Sequence, residues 1–100
     1  MEELKIRPGV ILTEICGEHV LVAAKEAREV CPYVSMISES GAFIWRQISR
    51  GAKSSDLLPL VLEEYEIEDP EQAKTMMNGF IRQMLESGYL LEEGEENEKE

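Results

Sequence analysis

Histidine, cysteine, basic residues and long apolar runs are what this chain has least of. It holds one histidine, His19, and two cysteines, Cys16 and Cys31. That leaves little material for a base-activated nucleophile, which usually needs a histidine beside a serine or cysteine. Structural zinc takes four ligands in paired short spacings, and no C-x2-C pair is present. His19 reads instead as an exposed residue on a strand. The chain also lacks a glycine loop of the kind that cradles phosphate. No apolar run approaches the roughly 18 residues that span a bilayer. The start, MEELKIRPG, mixes its charges and has no apolar stretch behind it, unlike a signal peptide. These absences predict a cytoplasmic protein with reduced thiols, no membrane association and no metal or other cofactor.

Cations are scarce relative to anions, with 10 Lys and Arg against 21 Asp and Glu and a formal net charge of −11. The last nine residues, EEGEENEKE, carry −5 of this and nothing apolar. Residues 92–100 therefore read as an acidic disordered tail behind one domain over residues 1–91. Nucleic-acid affinity rests largely on Lys and Arg neutralising phosphates, so no nucleic-acid partner is expected. An acidic domain favours a basic or apolar partner such as a peptide or another protein. The paired carboxylates in EEYEIED and in the tail sit at a helix end and in solvent. An acid–base pair needs a pocket that separates the two pKa values, so catalysis by this chain is not expected.

Pro8-Gly9 is a turn signal. Behind it, residues 10–16 and 19–24 are rich in β-branched residues around a tight Gly17-Glu18 connection, a hairpin pattern. KEAREV reads as an irregular excursion leading to Pro32, and YVSMI as a short third strand. Ser38 is placed to cap a helix carrying Ala42, Ile44, Trp45 and Ile48, which Gly51 stops. A second helix starts at Ser54 or Ser55, with Leu57, Leu58, Val61, Leu62 and Tyr65 along one side. Pro59 predicts a late start or a kink in it. Asp69-Pro70-Glu71-Gln72 starts a third helix as a variant capping box, and Gly88 ends it. The pattern is α+β: a three-stranded antiparallel sheet followed by three helices in a winged helix-turn-helix-like arrangement.

On the third helix, Ala73, Met77, Phe80 and Met84 follow one stripe, assigned to the core. Ile81 and Leu85 drift to a flank that also carries Lys74, Asn78 and Arg82, which forms an amphipathic lip. Met36, Met76, Met77 and Met84 cluster around the third strand and third helix, and methionine suits surfaces that adapt to varied apolar partners.

The stretch SMISESGAFIWRQISRGAKSSDLLPLVLEEYEIEDPEQAKTMMNGFIRQMLESGYL resembles the PqqD-like family. The likeness is carried by the strand into SESGAFIW, the LxxLVLEEYEI helix, the DPEQA helix start and the closing LxxxGYL. With RPGV…EHVLV for the first two strands, it extends over residues 6–92. The resemblance implies a non-catalytic recognition element, or peptide chaperone, for ribosomally made, post-translationally modified peptides in natural-product biosynthesis. It implies capture of a precursor's leader segment as an added strand along Val34, Ser35, Met36 and Ile37. The wall would be Lys74, Asn78, Ile81, Arg82 and Leu85 of the third helix. The leader would then be presented to a modifying enzyme, either a radical SAM enzyme or a leader peptidase. An open strand edge suits that role and also allows a weak homodimer beside the monomer. Two alternatives stay open. One is a scaffold subunit without peptide contact of its own. The other is a winged-helix DNA-binding regulator, which would need Arg46, Arg50, Lys53 and Arg82 on one face.

Overall fold

The computed structural model describes residues 4–65 and 67–92. Five strands run in chain order as β1 (Leu4–Ile6), β2 (Val10–Ile15), β3 (Glu18–Ala23), β4 (Val34–Ile37) and β5 (Leu90–Glu92). The helices are α1 (Glu39–Ser49), α2 (Ser54–Tyr65) and α3 (Pro70–Ser87). The fold is thus α+β, with a three-stranded antiparallel sheet ordered β2-β3-β4 and three helices. Two features go beyond the sequence reading. β1 pairs antiparallel with β5, Leu4 opposite Glu92 and Ile6 opposite Leu90, to make a second sheet that ties the two ends of the chain together. The segment after β3, read as irregular, is a 3-10 helix over Lys25–Glu29. Glu92, expected to open the tail, is the last residue of β5; residues 93–100 lie outside the described residues.

The hairpin is tight, its turn one residue earlier than the Gly17-Glu18 connection read from the sequence. Ile15 faces Glu18 across a two-residue turn in which Cys16 and Gly17 have φ of 53° and 81°. Positive φ at both central positions is the type I′ geometry that matches strand twist. Across the sheet, alternate residues turn to opposite faces. Leu21 and Ala23 are buried, with Leu12 and Ile37 packed against the core, whereas Ile11, Val34 and Met36 stand exposed on the outer face.

Local capping sets the helix ends. The Ser38 hydroxyl accepts from the Gly41 N–H at 3.1 Å and starts α1 beside β4 with no intervening loop. The Asp69 carboxylate accepts from the Glu71 and Gln72 N–H groups at 3.1 and 3.4 Å, with Pro70 at N1. Gly88 closes α3 in the left-handed region at φ 92°. The expected late start of α2 does not occur. The Asp56 carboxylate accepts from the Lys53 N–H at 3.1 Å and secures the first turn, and helix continues through an exposed Pro59. Leu57 and Val61 bury the inner side of α2. Tyr89, Leu21, Leu57, Ile81 and Leu90 are the largest fully buried side chains. Truncating such a leucine to alanine costs roughly 2–5 kcal/mol. Trp45, 3% exposed, joins the same core.

Candidate functional site

β4 is an edge of the sheet, and its outward-facing groups follow from the ladder. In an antiparallel pair, alternate residues direct both their N–H and C=O groups to the partner strand. The Ala23 N–H donates to the Tyr33 carbonyl at 2.9 Å. Counting along the register, Tyr33, Ser35 and Ile37 spend their backbone groups on β3, opposite Ala23, Leu21 and His19. The two-residue hairpin gives the same phase from the other side. Val34 and Met36 therefore turn their N–H and C=O groups away from the sheet. Of the four residues read as the strand edge, these two carry the outward-facing backbone groups; Ser35 and Ile37 instead turn their side chains inward.

Ser35 has a structural partner. The Tyr89 hydroxyl, on a residue with no exposed surface, lies 2.8 Å from the Pro32 carbonyl and 2.9 Å from Ser35 Oγ, hydrogen-bonded to both. Tyr89 thereby fixes the height of β4 above the core. On the strand's approach, the Arg28 guanidinium stacks 4.5 Å from the Tyr33 ring centre.

Beside this edge runs a groove of about 290 Å³. Ser35, Met36, Ile37 and Ser38 line its strand side, and Phe80, Gln83, Met84 and Ser87 of α3 line its helix side. None of Lys74, Asn78, Ile81, Arg82 or Leu85, the helix wall that the resemblance implied, is among these residues. Ile81 is 2% exposed and belongs to the core, and Leu85 packs against that core half-buried. Lys74, Asn78 and Arg82 are exposed on the flank of α3 turned away from the groove. At about 100° per residue, Gln83 stands about 140° around the helix from Asn78. Phe80, assigned to the core stripe, is half-buried and exchanges roles with Ile81. The exposed and half-buried helix residues that line the groove, Phe80, Gln83 and Ser87, fall at i, i+3 and i+7, and Met76 continues that stripe on α3 outside the groove.

Phe80 comes unusually close to α1. A Cβ on Gly41 would lie 2.8 Å from the Phe80 ring, so glycine is what lets that ring press against the first turn of the helix. On the other side of Phe80 is a second cavity of about 320 Å³, held between α1, α2 and α3, and Ser38 and Phe80 line both. Tyr65 stands at that cavity's rim, steadied by an edge-on contact with Phe43 at 5.6 Å between ring centres. Burial, then the Glu39 and Glu64 carboxylates, push the Tyr65 phenol up, against an opposing pull from Arg46.

Other candidate chemistry does not converge. Cys16 is exposed at the hairpin turn and Cys31 is buried under the 3-10 helix, where burial raises its thiol pKa against the lowering effect of Arg7. His19, read as exposed, is half-buried, and its Nδ1 is buried without a hydrogen-bond partner. Among the described residues no three His, Cys, Asp or Glu gather to hold a metal ion, and no helix is long and apolar enough to cross a membrane.

These features define a class: a small α+β domain with an open antiparallel edge running along a helix. The chain belongs to the family of coenzyme PQQ synthesis protein D (PqqD), whose family model matches residues 18–90. The match starts at β3, later than the resemblance over residues 6–92, and takes in β4, α3 and both walls of the groove. Membership points to a peptide partner in the biosynthesis of PQQ or of other ribosomally made, modified peptides. No curated protein and no solved structure gives a significant match.

Proposed function

We propose that this chain is a non-catalytic module that captures the leader segment of a ribosomally made precursor peptide and presents it to a modifying enzyme. The leader adds as a strand to β4 and packs against α3. The observation that carries this reading is the pair of outward-facing residues Val34 and Met36, set beside the groove walled by Phe80, Gln83 and Ser87. Strand addition draws affinity from main-chain bonds and choice from side-chain pockets. Two N–H and two C=O groups, at roughly 0.5–1.5 kcal/mol net each, amount to a few kcal/mol. Ordering a flexible peptide costs at least as much. Burial of leader side chains in the groove must therefore supply most of the net affinity. The partner enzyme, of radical SAM or leader-peptidase type, receives the part of the precursor that extends beyond the groove.

The test is a titration of isotope-labelled domain with leader peptides encoded near its gene, followed by amide shifts. The expected pattern is centred on residues 34–38 and 80–87. Met36→Pro supplies the control. Proline is tolerated where its nitrogen faces solvent on an edge strand, so the variant should fold yet lose binding. Full affinity in folded Met36→Pro would sink strand addition at this edge.

A further inference from the structure

The second cavity shares Ser38 and Phe80 with the groove but differs from it in character. Its walls are mostly apolar, including Ile44, Val61, Met77 and Phe80. It reaches solvent beside Met76, 63% exposed, and Tyr65, 36% exposed. Its volume of about 320 Å³ far exceeds the roughly 30 Å³ share of one water. An apolar cavity of that size, with Met76 and Met77 in its lining, suits an apolar guest of variable shape.

Carboxylates neighbour the residues at the mouth. Glu39 lies between Ser38 and Ser40, which both line the cavity; Glu64 precedes Tyr65; Glu68 and Asp69 follow Ile67. All four are exposed, the Asp69 carboxylate also capping α3, and Glu39 and Glu64 act on the Tyr65 phenol against Arg46. An apolar socket with a carboxylate rim is complementary to an apolar side chain that has cationic neighbours.

We propose that this cavity is a second subsite for the same bound peptide, taking a bulky apolar side chain whose flanking residues are Lys or Arg. The proposal rests on the strand-addition reading and adds direction to it. β4 runs from Val34 toward Ser38, that is, toward the cavity. A guest strand that continues the sheet's antiparallel pattern runs the other way. Its anchor therefore precedes the paired residues, and the recognised segment reads as basic residues around a Leu, Ile or Phe, followed by an extended stretch.

The experiment uses three synthetic peptides of about twelve residues with one common extended stretch. The first has a Lys-flanked Phe anchor, the second a Glu-flanked Phe and the third a Lys-flanked Ala. Each is titrated into the full chain, with the Met76 and Met77 methyl signals reporting on the cavity and the residue 34 and 36 amides on the edge. The expected order of affinity is Lys-Phe, then Lys-Ala and Glu-Phe, with Lys-Phe on the order of tenfold tighter than Glu-Phe at low salt. That preference should narrow as salt rises. The double variant Glu39→Lys, Glu64→Lys should reverse it, an outcome that loss of folding cannot imitate. Edge amides that shift while the methyls stay silent, with Lys-Phe and Glu-Phe equal, overturn the subsite and leave strand addition standing. Silent edge amides overturn strand addition itself, and the shared-peptide subsite with it.

Discussion

α3 has two flanks of similar amphipathic look and opposite fates. Lys74, Asn78 and Arg82 stand on one, exposed and away from the open strand edge. Met76, Phe80, Gln83 and Ser87 stand on the other, where three of them face the groove and two line the inner cavity. Both flanks border the same buried stripe of Ala73, Met77, Ile81 and Met84. The charged flank looks more like a binding surface, because polar groups on a helix suggest contacts to a partner. The quieter flank is the one walled in by β4. A site is made by what faces it, and the helix alone does not say which way it is turned.

The largest effects are expected at the strand. Met36→Pro removes an outward N–H and puts a ring where the guest strand would lie, so leader affinity should fall at least tenfold, read by calorimetry. Ile37→Pro makes a harsher contrast: its nitrogen serves the β3–β4 ladder, so that variant should lose the fold, seen as a collapsed amide spectrum. On the helix, Ser87→Trp fills the groove from the quiet flank and should weaken binding about tenfold with little change in thermal midpoint, because Ser87 is only half-buried.

Tyr89→Phe sharpens the point from below. It removes the hydroxyl that holds Pro32 and Ser35 and should cost about 1–2 kcal/mol in denaturant unfolding, with a smaller, few-fold loss of binding as β4 loosens. The smallest effects belong to the exposed flank. Lys74→Glu, Asn78→Ala and Arg82→Ala should each leave leader affinity within about twofold, since exposed charges contribute little. A tenfold loss from any of the three would return the site to that flank.

Much of the fold was legible because it is locally encoded. The Ser38 and Asp69 caps and the Gly51 and Gly88 stops each rest on hydrogen bonds or dihedrals within a few residues and sit where the sequence put them, and the hairpin turn falls at Cys16-Gly17, one residue before the expected Gly17-Glu18. β1 was not legible: three residues, Leu4–Ile6, are too short to show alternation, and their partner β5 lies at the far end of the domain. The 3-10 helix was missed for a related reason, since KEARE is a single short turn with one buried residue, Ala27. On α3 the exchange of Phe80 and Ile81 is a rotation of one position about a stripe that fits both.

The sequence alone determined the order of β2, β3, β4 and the three helices, that a short strand leads straight into a capped helix, and that the domain is acidic. Those properties depend on neighbours along the chain, where propensity, capping and charge act at short range. Only the tertiary structure decided that Val34 and Met36 hold the outward backbone groups and that Phe80, Gln83 and Ser87 wall the groove. It also placed an apolar cavity under an acidic rim just beyond. Each of these depends on the ladder phase of β4 or the rotation of α3 about its own axis, and both are set by packing between segments distant in sequence.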